Sequence, residues 1–300
     1  MTVLAVVGPT ASGKSRLAQQ VATARAATGR RTELVAVDAF TIYRGMDIGT
    51  AKPDPSERAA VPHHLIDRIG PDTELSVVAF RDLARAVIAE VRGRAATPLL
   101  VGGSGLYFRA VVDPLLFPPT DPVLRAQIEA RWSDDPHGAH AYLADLDPAA
   151  ASRIDPANLR RTVRALEVVE LTDRPFSTFD DSYGRYESIY PDLQVVLLDP
   201  PTEVLRARID ERAQRMVDRG LVAEMAALRA RGPLSRTAAQ AIGYAEAAAV
   251  LDGVLSPDEL ATAVARRTWR YARRQRSWFR ADPRCRRLSI EEAHQHLLAA

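Results

Sequence analysis

The sequence predicts an α/β fold: a parallel sheet core interrupted by an all-helical insertion and followed by a helical C-terminal region. Three observations predict it. Short apolar runs rich in β-branched residues alternate with helical spacings through the first third of the chain. Each run ends in a loop that opens with Gly or Asp. Strand signals then vanish from about Pro118 to Tyr190 before one more appears.

The first run, Val3–Val7, closes at Gly8 and reads as a buried parallel strand. Residues 15–27 follow as a helix, with Leu17, Ala18 and Val21 on one face. Residues 34–37 form the second strand, which ends at Asp38. A helix over about 77–92 leads into a third strand, residues 99–101, which stops at Gly102 and Gly103. Ligands of such sheets collect at the carboxyl ends of the strands, so residues 8–15, 38–41 and 102–107 should share one rim. In the next segment, Asp-Pro pairs (Asp121-Pro122, Asp147-Pro148, Asp155-Pro156) punctuate short helices, the clearest over 158–171. Residues 193–198 return the chain to the sheet. From about Pro201 it reads as helical, with a capping box and a first-turn proline at Ser256-Pro257-Asp258-Glu259. The expected organisation is a catalytic core of residues 1–117 and 191–300 with a helical insertion over 118–190.

Composition narrows the function classes. Hydrophobic residues at 47% and charged residues at 26% of 300 describe an ordinary globular chain. Forty basic against 38 acidic side chains leave +2, so affinity for an anionic partner must come from local clustering. The single cysteine, Cys285, excludes an intrachain disulfide and a cysteine-based zinc site and fits a reducing compartment. No apolar run reaches the length of a membrane span, and the run at Val3–Val7 lacks the basic flank of a signal peptide. A cytoplasmic protein acting as a monomer, without a membrane partner, is expected. Only Lys14 and Lys52 among the 40 basic residues are lysines. In so arginine-biased a chain, a retained lysine marks a place where arginine would not serve.

Gly8-Pro9-Thr10-Ala11-Ser12-Gly13-Lys14-Ser15 matches G-x-x-x-x-G-K-[ST] between a strand and a helix. The glycines let backbone N–H groups point inward at a phosphate, the helix adds its positive end, Lys14 brings a mobile charge, and the Ser15 hydroxyl suits Mg²⁺. The motif implies a polyphosphate or diphosphate site without saying which. Asp38 has three readings: a turn residue, a Mg²⁺ ligand beside a phosphate loop, or a general base. Position alone does not separate them. Ser104, in the glycine-rich 102–107 loop, offers a hydroxyl to the same rim. His63 and His64 are adjacent and have no obvious third ligand, which favours a structural role. Between Arg266 and Arg287 stand ten arginines and one acid, Asp282, interleaved with Trp269, Tyr271, Trp278 and Phe279. That stretch suits a phosphate-rich partner such as RNA. Residues 158–164 form a smaller basic cluster.

These segments resemble the bacterial tRNA dimethylallyltransferases, also called tRNA isopentenyltransferases. The matching pieces are GPTASGKS (8–15), DAFTIYRGMDIGTAKP (38–53), PHHLID (62–67), GGSGLY (102–107), RRTVRALEV (160–168), AIGY (241–244) and RRQRSWFR (273–280), in the family's order along nearly the whole chain. The resemblance implies a phosphate-loop core like that of P-loop NTPases. It also implies transfer of a dimethylallyl group from dimethylallyl diphosphate to N6 of adenosine 37 of tRNA, in the anticodon stem-loop, with Mg²⁺ as cofactor. By the same resemblance Asp38 is the base, Ser104 orients the reacting groups, and Arg212 joins the phosphate loop in holding the diphosphate. The tRNA contacts it implies are Asp38, Ala39, Phe40, Thr41, Ser104, Arg125, Arg160, Arg161, Thr162, Val163, Arg164, Gln240, Ala241, Ile242, Gly243, Tyr244 and residues 273–280, among them Arg273, Arg274, Gln275 and Arg276. Ala39 and Thr41 stand where the family commonly has Ser and Gln, which puts particular base contacts in doubt. The alternatives are a small-molecule or nucleotide kinase using the same loop for ATP, a prenyltransferase acting on free AMP, and a non-catalytic RNA-binding protein.

Overall fold

A computed structural model describes residues 2–182 and 184–300. The chain divides into two compact units, residues 1–113 with 188–300, and residues 114–187. The first unit opens with β1 (Val3–Val7), α1 (Lys14–Ala27), β2 (Thr32–Val37), α2 (Pro55–Ala60), β3 (His63–His64), α3 (Val77–Gly93), β4 (Thr97–Gly102) and α4 (Gly105–Val112). The second unit holds α5 (Pro122–Trp132), α6 (Pro136–Leu146), α7 (Pro148–Ala151), α8 (Leu159–Thr172) and a 3₁₀ segment, Phe176–Ser182. The chain then re-enters the first unit with β5 (Leu193–Leu197), α9 (Thr202–Asp218), α10 (Leu221–Arg231), α11 (Arg236–Ala239) and α12 (Tyr244–Leu251). It ends with α13 (Leu260–Ala281), β6 (Cys285–Arg287) and α14 (Ile290–Ala299).

Among the described residues six strands form one sheet and run parallel, in the order β3-β2-β4-β1-β5-β6. β1 is wholly buried between β4 and β5, with Leu4 opposite Leu99 and Val196 beside Val6. Its alternation supplies both faces. Val3, Ala5 and Val7 join Phe80, Phe108 and the C-terminal helices in one cluster, while Leu4 and Val6 pack against Leu17, Val21 and Leu297 in the other. Two strands, β3 and β6, are absent from the sequence expectation, which placed no strand between residues 38 and 98 and read the chain from about Pro201 as helical. They are short polar pieces (His-His and Cys-Arg-Arg) at the two sheet edges and carry no alternating apolar pattern.

In the second unit, Asp121, Asp135 and Asp147 each cap a helix whose first residue is proline. The carboxylate takes an orphan backbone N–H, and the proline sits where a missing N–H costs nothing. Asp155-Pro156 instead forms the turn before α8, which is capped by Asn158. The capping box expected at residues 256–259 does not form. Pro257–Glu259 is a 3₁₀ turn whose tighter hydrogen bond, Glu259 N–H to the Ser256 carbonyl, replaces the side-chain cap.

Candidate active site

The sheet topology sets the glycine loop after β1 beside the loop after β4, with the loop after β2 next in line. Gly8 has φ +147°, and a Cβ there would run into the Leu198 carbonyl of the strand alongside. Thr10 N–H donates to Gln275 Oε1 at 2.9 Å, and Gln275 Nε2 donates to the Gly103 carbonyl at 2.7 Å. One buried side chain from α13 thus ties the first glycine loop to the third. Lys14 Nζ donates to the Pro9 carbonyl at 2.8 Å, folding back over its own loop. Burial, then the nearby Arg212 charge, pushes the Lys14 ammonium down to about 8, against an opposing pull from Asp38. Ser12 Oγ is buried in the same loop with no hydrogen-bond partner among the described residues, a donor that an anion oxygen would satisfy. Ala11, Gly13, Lys14 and Ser15 line a cavity of about 1000 Å³, whose other walls carry Arg208, Arg212 and Arg215 from α9 and His294 from α14.

Asp38 Oδ1 accepts from the N–H groups of Phe40 at 2.8 Å and Thr41 at 3.3 Å. The carboxylate is therefore a turn residue, and it also lines a second cavity of about 80 Å³ with Thr10, Phe40, Arg212, Met216 and Tyr271. Pinning one oxygen fixes the direction of the other. Burial, then the Asp38 charge, pushes the Tyr271 phenol up to about 12, against an opposing pull from the nearby Ser104 and Gln275 side chains. Arg212 lines both cavities, and its guanidinium reaches the Thr50 carbonyl at 3.4 Å.

The loop over 43–52 is held from behind. Lys52 is buried, and its ammonium donates to the Tyr43 carbonyl, Asp47 and Asp67 at 2.6, 2.7 and 2.5 Å. Three acceptors around one tetrahedral nitrogen match an ammonium, whereas a planar guanidinium would not reach them together. Glu224 of α10 accepts from Ile48 N–H and from the Tyr244 hydroxyl at 2.6 Å, and a Cβ at Gly49 would collide with the Tyr244 ring. His64 pairs with Glu33 at 2.7 Å, and Arg94 binds the same carboxylate, holding Glu33 down to about 2. The histidine pair is structural: among the described residues no cluster of His, Cys, Asp or Glu could hold a metal by itself. Ser15, which follows Lys14 in the loop, lines the larger cavity. One hydroxyl beside an anion cradle fits Mg²⁺ carried mainly by phosphate oxygens and water.

Residues 41–282 match the IPP transferase family. The chain belongs to that family. A tRNA dimethylallyltransferase from Kineococcus radiotolerans is 50% identical over 285 residues, 94% of this chain and 89% of that protein. One from Bifidobacterium longum is 47% identical over 286 residues, 94% of this chain and 84% of that one. The solved full-length tRNA isopentenylpyrophosphate transferase from Bacillus halodurans superposes with a TM-score of 0.71 at 36% identity, covering 99% of this chain and 96% of that one.

In this member of the family, several residues expected to meet RNA are spent inside the chain. Arg276 is buried against Asp199 at 2.6 Å and also bonds Thr202 and the Pro200 carbonyl. Gln275 is the loop tie described above. Thr162 and Val163 are buried, and Tyr244 is locked on Glu224. Arg125 and Arg164 clasp the wholly buried Glu167 at 2.8 and 2.7 Å, and Arg164 also holds the Pro118 and Pro119 carbonyls. The scarcity of acids within 266–287 is likewise misleading. Asp199 also takes Arg280 and Arg287, Asp113 and Asp282 take Arg284, and Glu246 takes Arg267. Arg266, Arg270, Arg273 and Arg274 of α13 stay exposed and pair with no carboxylate among the described residues. Arg160, Arg161 and Gln240 are also exposed, and Ala241 and Ile242 line the smaller cavity. Ala39 is buried, and Thr41 Oγ1 is buried with no partner among the described residues. Gly243 sits at the N-terminus of α12 with its N–H on Glu246. The sequence offered no signal for Glu224 or Asp199, and Tyr271 was visible only as an aromatic among arginines.

Proposed function

We propose that this protein transfers the dimethylallyl group of dimethylallyl diphosphate to N6 of adenosine 37 of tRNA and releases pyrophosphate. The observation that carries the reading is Arg212, which lines both the phosphate-loop cavity and the Asp38 chamber. A leaving diphosphate and an incoming amine would meet there.

The loop amides, Lys14 and Arg212 hold the diphosphate, with Pro9, Thr10, Ala11 and Ser12 forming the wrap and the Ser12 hydroxyl free to donate. The adenine leaves its stack, at least cost in a single-stranded loop. Its amine nitrogen forms the new bond to the allylic carbon, and the C–O bond to the diphosphate breaks with its electron pair leaving on pyrophosphate. Asp38 takes the amine proton on the oxygen that the turn leaves free. Ser104, near Tyr271 on the same rim, orients the reacting groups. Ser15 Oγ would hold Mg²⁺ together with diphosphate oxygens, where the ion supplies positive charge against the departing pyrophosphate. The exposed arginines of α13, with Arg160 and Arg161, meet the RNA backbone in the cytoplasm. Among the described residues, no helix is long and apolar enough to cross a membrane.

Purified protein incubated with dimethylallyl diphosphate, Mg²⁺ and unmodified tRNA should yield N6-dimethylallyladenosine and pyrophosphate on nucleoside analysis. No product with any adenosine-bearing anticodon loop would overturn the reading.

A further inference from the structure

Residues 49–51 stand between the two cavities. Gly49 and Thr50 line the smaller one, Ala51 lines the larger, and Arg212 reaches both. Among the described residues the Arg212 guanidinium makes one hydrogen bond, to the Thr50 carbonyl at 3.4 Å. A bond that long is made or lost by a sub-ångström shift, so the place of Thr50 decides where Arg212 points. These residues do not hold themselves. Ala51 has φ +49°, a left-handed conformation that a non-glycine residue keeps only when its surroundings enforce it.

The support lies behind them. Tyr244 of α12 is wholly buried, with its ring so close to Gly49 that a Cβ there would collide with it. Its hydroxyl accepts from Gly49 N–H at 3.2 Å and donates to Glu224 at 2.6 Å. The same carboxylate accepts from the N–H groups of Asp47 and Ile48 at 3.2 and 3.0 Å. One tyrosine–carboxylate pair therefore fixes three successive backbone amides. Burial, then the bond to Glu224, pushes the Tyr244 phenol up, which keeps it the donor of the pair.

We infer that Tyr244 and Glu224 are positioning residues: they hold residues 47–50 so that the Thr50 carbonyl aims the Arg212 guanidinium at the diphosphate. The inference rests on the proposed prenyl transfer and adds two residues that act on it from behind the site, through Arg212, without touching either substrate. A misplacement of about 1 Å, even one caused far from the chemistry, can cost about a hundredfold in rate. A contact to RNA, the role the resemblance gives Tyr244, would instead act on tRNA affinity. The two roles move different quantities.

The test is a double-mutant cycle. Tyr244→Phe and Glu224→Ala are each made in the wild type and in Arg212→Met, which keeps the stem and removes the donor. Two quantities are read: steady-state transfer to tRNA, and calorimetric binding of inorganic pyrophosphate without tRNA. In the wild-type background each variant should lower kcat by about ten- to a hundredfold and leave the KM for tRNA unchanged. Pyrophosphate binding should weaken by about threefold or more. In Arg212→Met the same changes should cost less than about twofold, because the group they aim is gone. A general loosening of the fold would cost the same in both backgrounds. Tyr244→Phe keeps the buried ring, so it reads the hydroxyl alone should Glu224→Ala fail to fold. Equal losses in both backgrounds, no loss in either, or a raised KM for tRNA with kcat intact would overturn the inference. Pyrophosphate binding coupled to Arg212 in a protein that prenylates no tRNA would defeat the proposed function alone. Full transfer without that coupling would defeat the positioning role alone.

Discussion

The two cavities that meet at Arg212 differ in size and in what they ask of a ligand. The larger, about 1000 Å³, is walled by a glycine loop, a lysine and a row of α9 arginines. The smaller, about 80 Å³, has one carboxylate and mostly apolar walls. The wide one can hold a hydrated, highly charged group that needs many donors and little shape. The narrow one has room for a small group only and sets a single carboxylate, Asp38, beside it. On the proposed function, charge is handled on one side of Arg212 and bond formation on the other, and substitutions on the two sides should fail differently.

The sharpest way to break that division is Asp38→Asn. The amide oxygen can still accept from Phe40 N–H and keep the turn, but the side chain can no longer take a proton. Transfer should fall by about 10²–10⁴-fold while diphosphate binding persists. Steady-state rates and calorimetry on one preparation check both halves. Loss of binding along with rate would merge the two cavities into one function.

Lys14→Ala strikes the other side. A donor aimed at developing negative charge is worth about 10²–10³-fold in rate, and here diphosphate affinity should fall as well. Lys14→Arg should not restore either, because the ammonium already folds onto the Pro9 carbonyl in a space built for a point charge. Rescue by arginine would argue against a specific cradle.

A smaller effect follows from the titration of Lys14. Its pKa is lowered to about 8, so the ammonium is fully charged below that pH and is lost as pH rises through it. The kcat/KM for the diphosphate should therefore fall by about tenfold per unit above pH 8, and the fall should be missing in Lys14→Ala. A wild-type profile flat across that range would place the essential cation elsewhere.

How much of this was legible in the sequence depends on where a residue's partner lies. The parallel sheet and its rim loops were readable because strand ends and the G-x-x-x-x-G-K-S spacing are local patterns, and β1, β2 and β4 lie as the apolar runs implied. The lysine skew was readable too, since Lys52 meets acceptors at Tyr43, Asp47 and Asp67. The partners of the arginines were not. Asp199 comes 77 residues before Arg276, and Glu167 comes 42 after Arg125, so a charge count over a window scored as free what the fold neutralises. Glu224 reaches back 176 residues to Ile48, with no local mark of its destination.

The last contrast lies within α13. Arg273 is exposed and meets no carboxylate among the described residues, whereas Arg276, one turn on, is buried against Asp199. Arg273→Ala should weaken tRNA binding modestly, lower the salt slope of log K by about 1, and leave thermal stability unchanged. Arg276→Ala should do the reverse: the salt slope holds, and stability drops by about 1–3 kcal/mol, softened because Arg280 still pairs with Asp199. Filter binding across a salt series, read beside thermal denaturation, measures both. Equal salt slopes for the two variants would mean that exposure along α13 does not decide which arginines meet RNA.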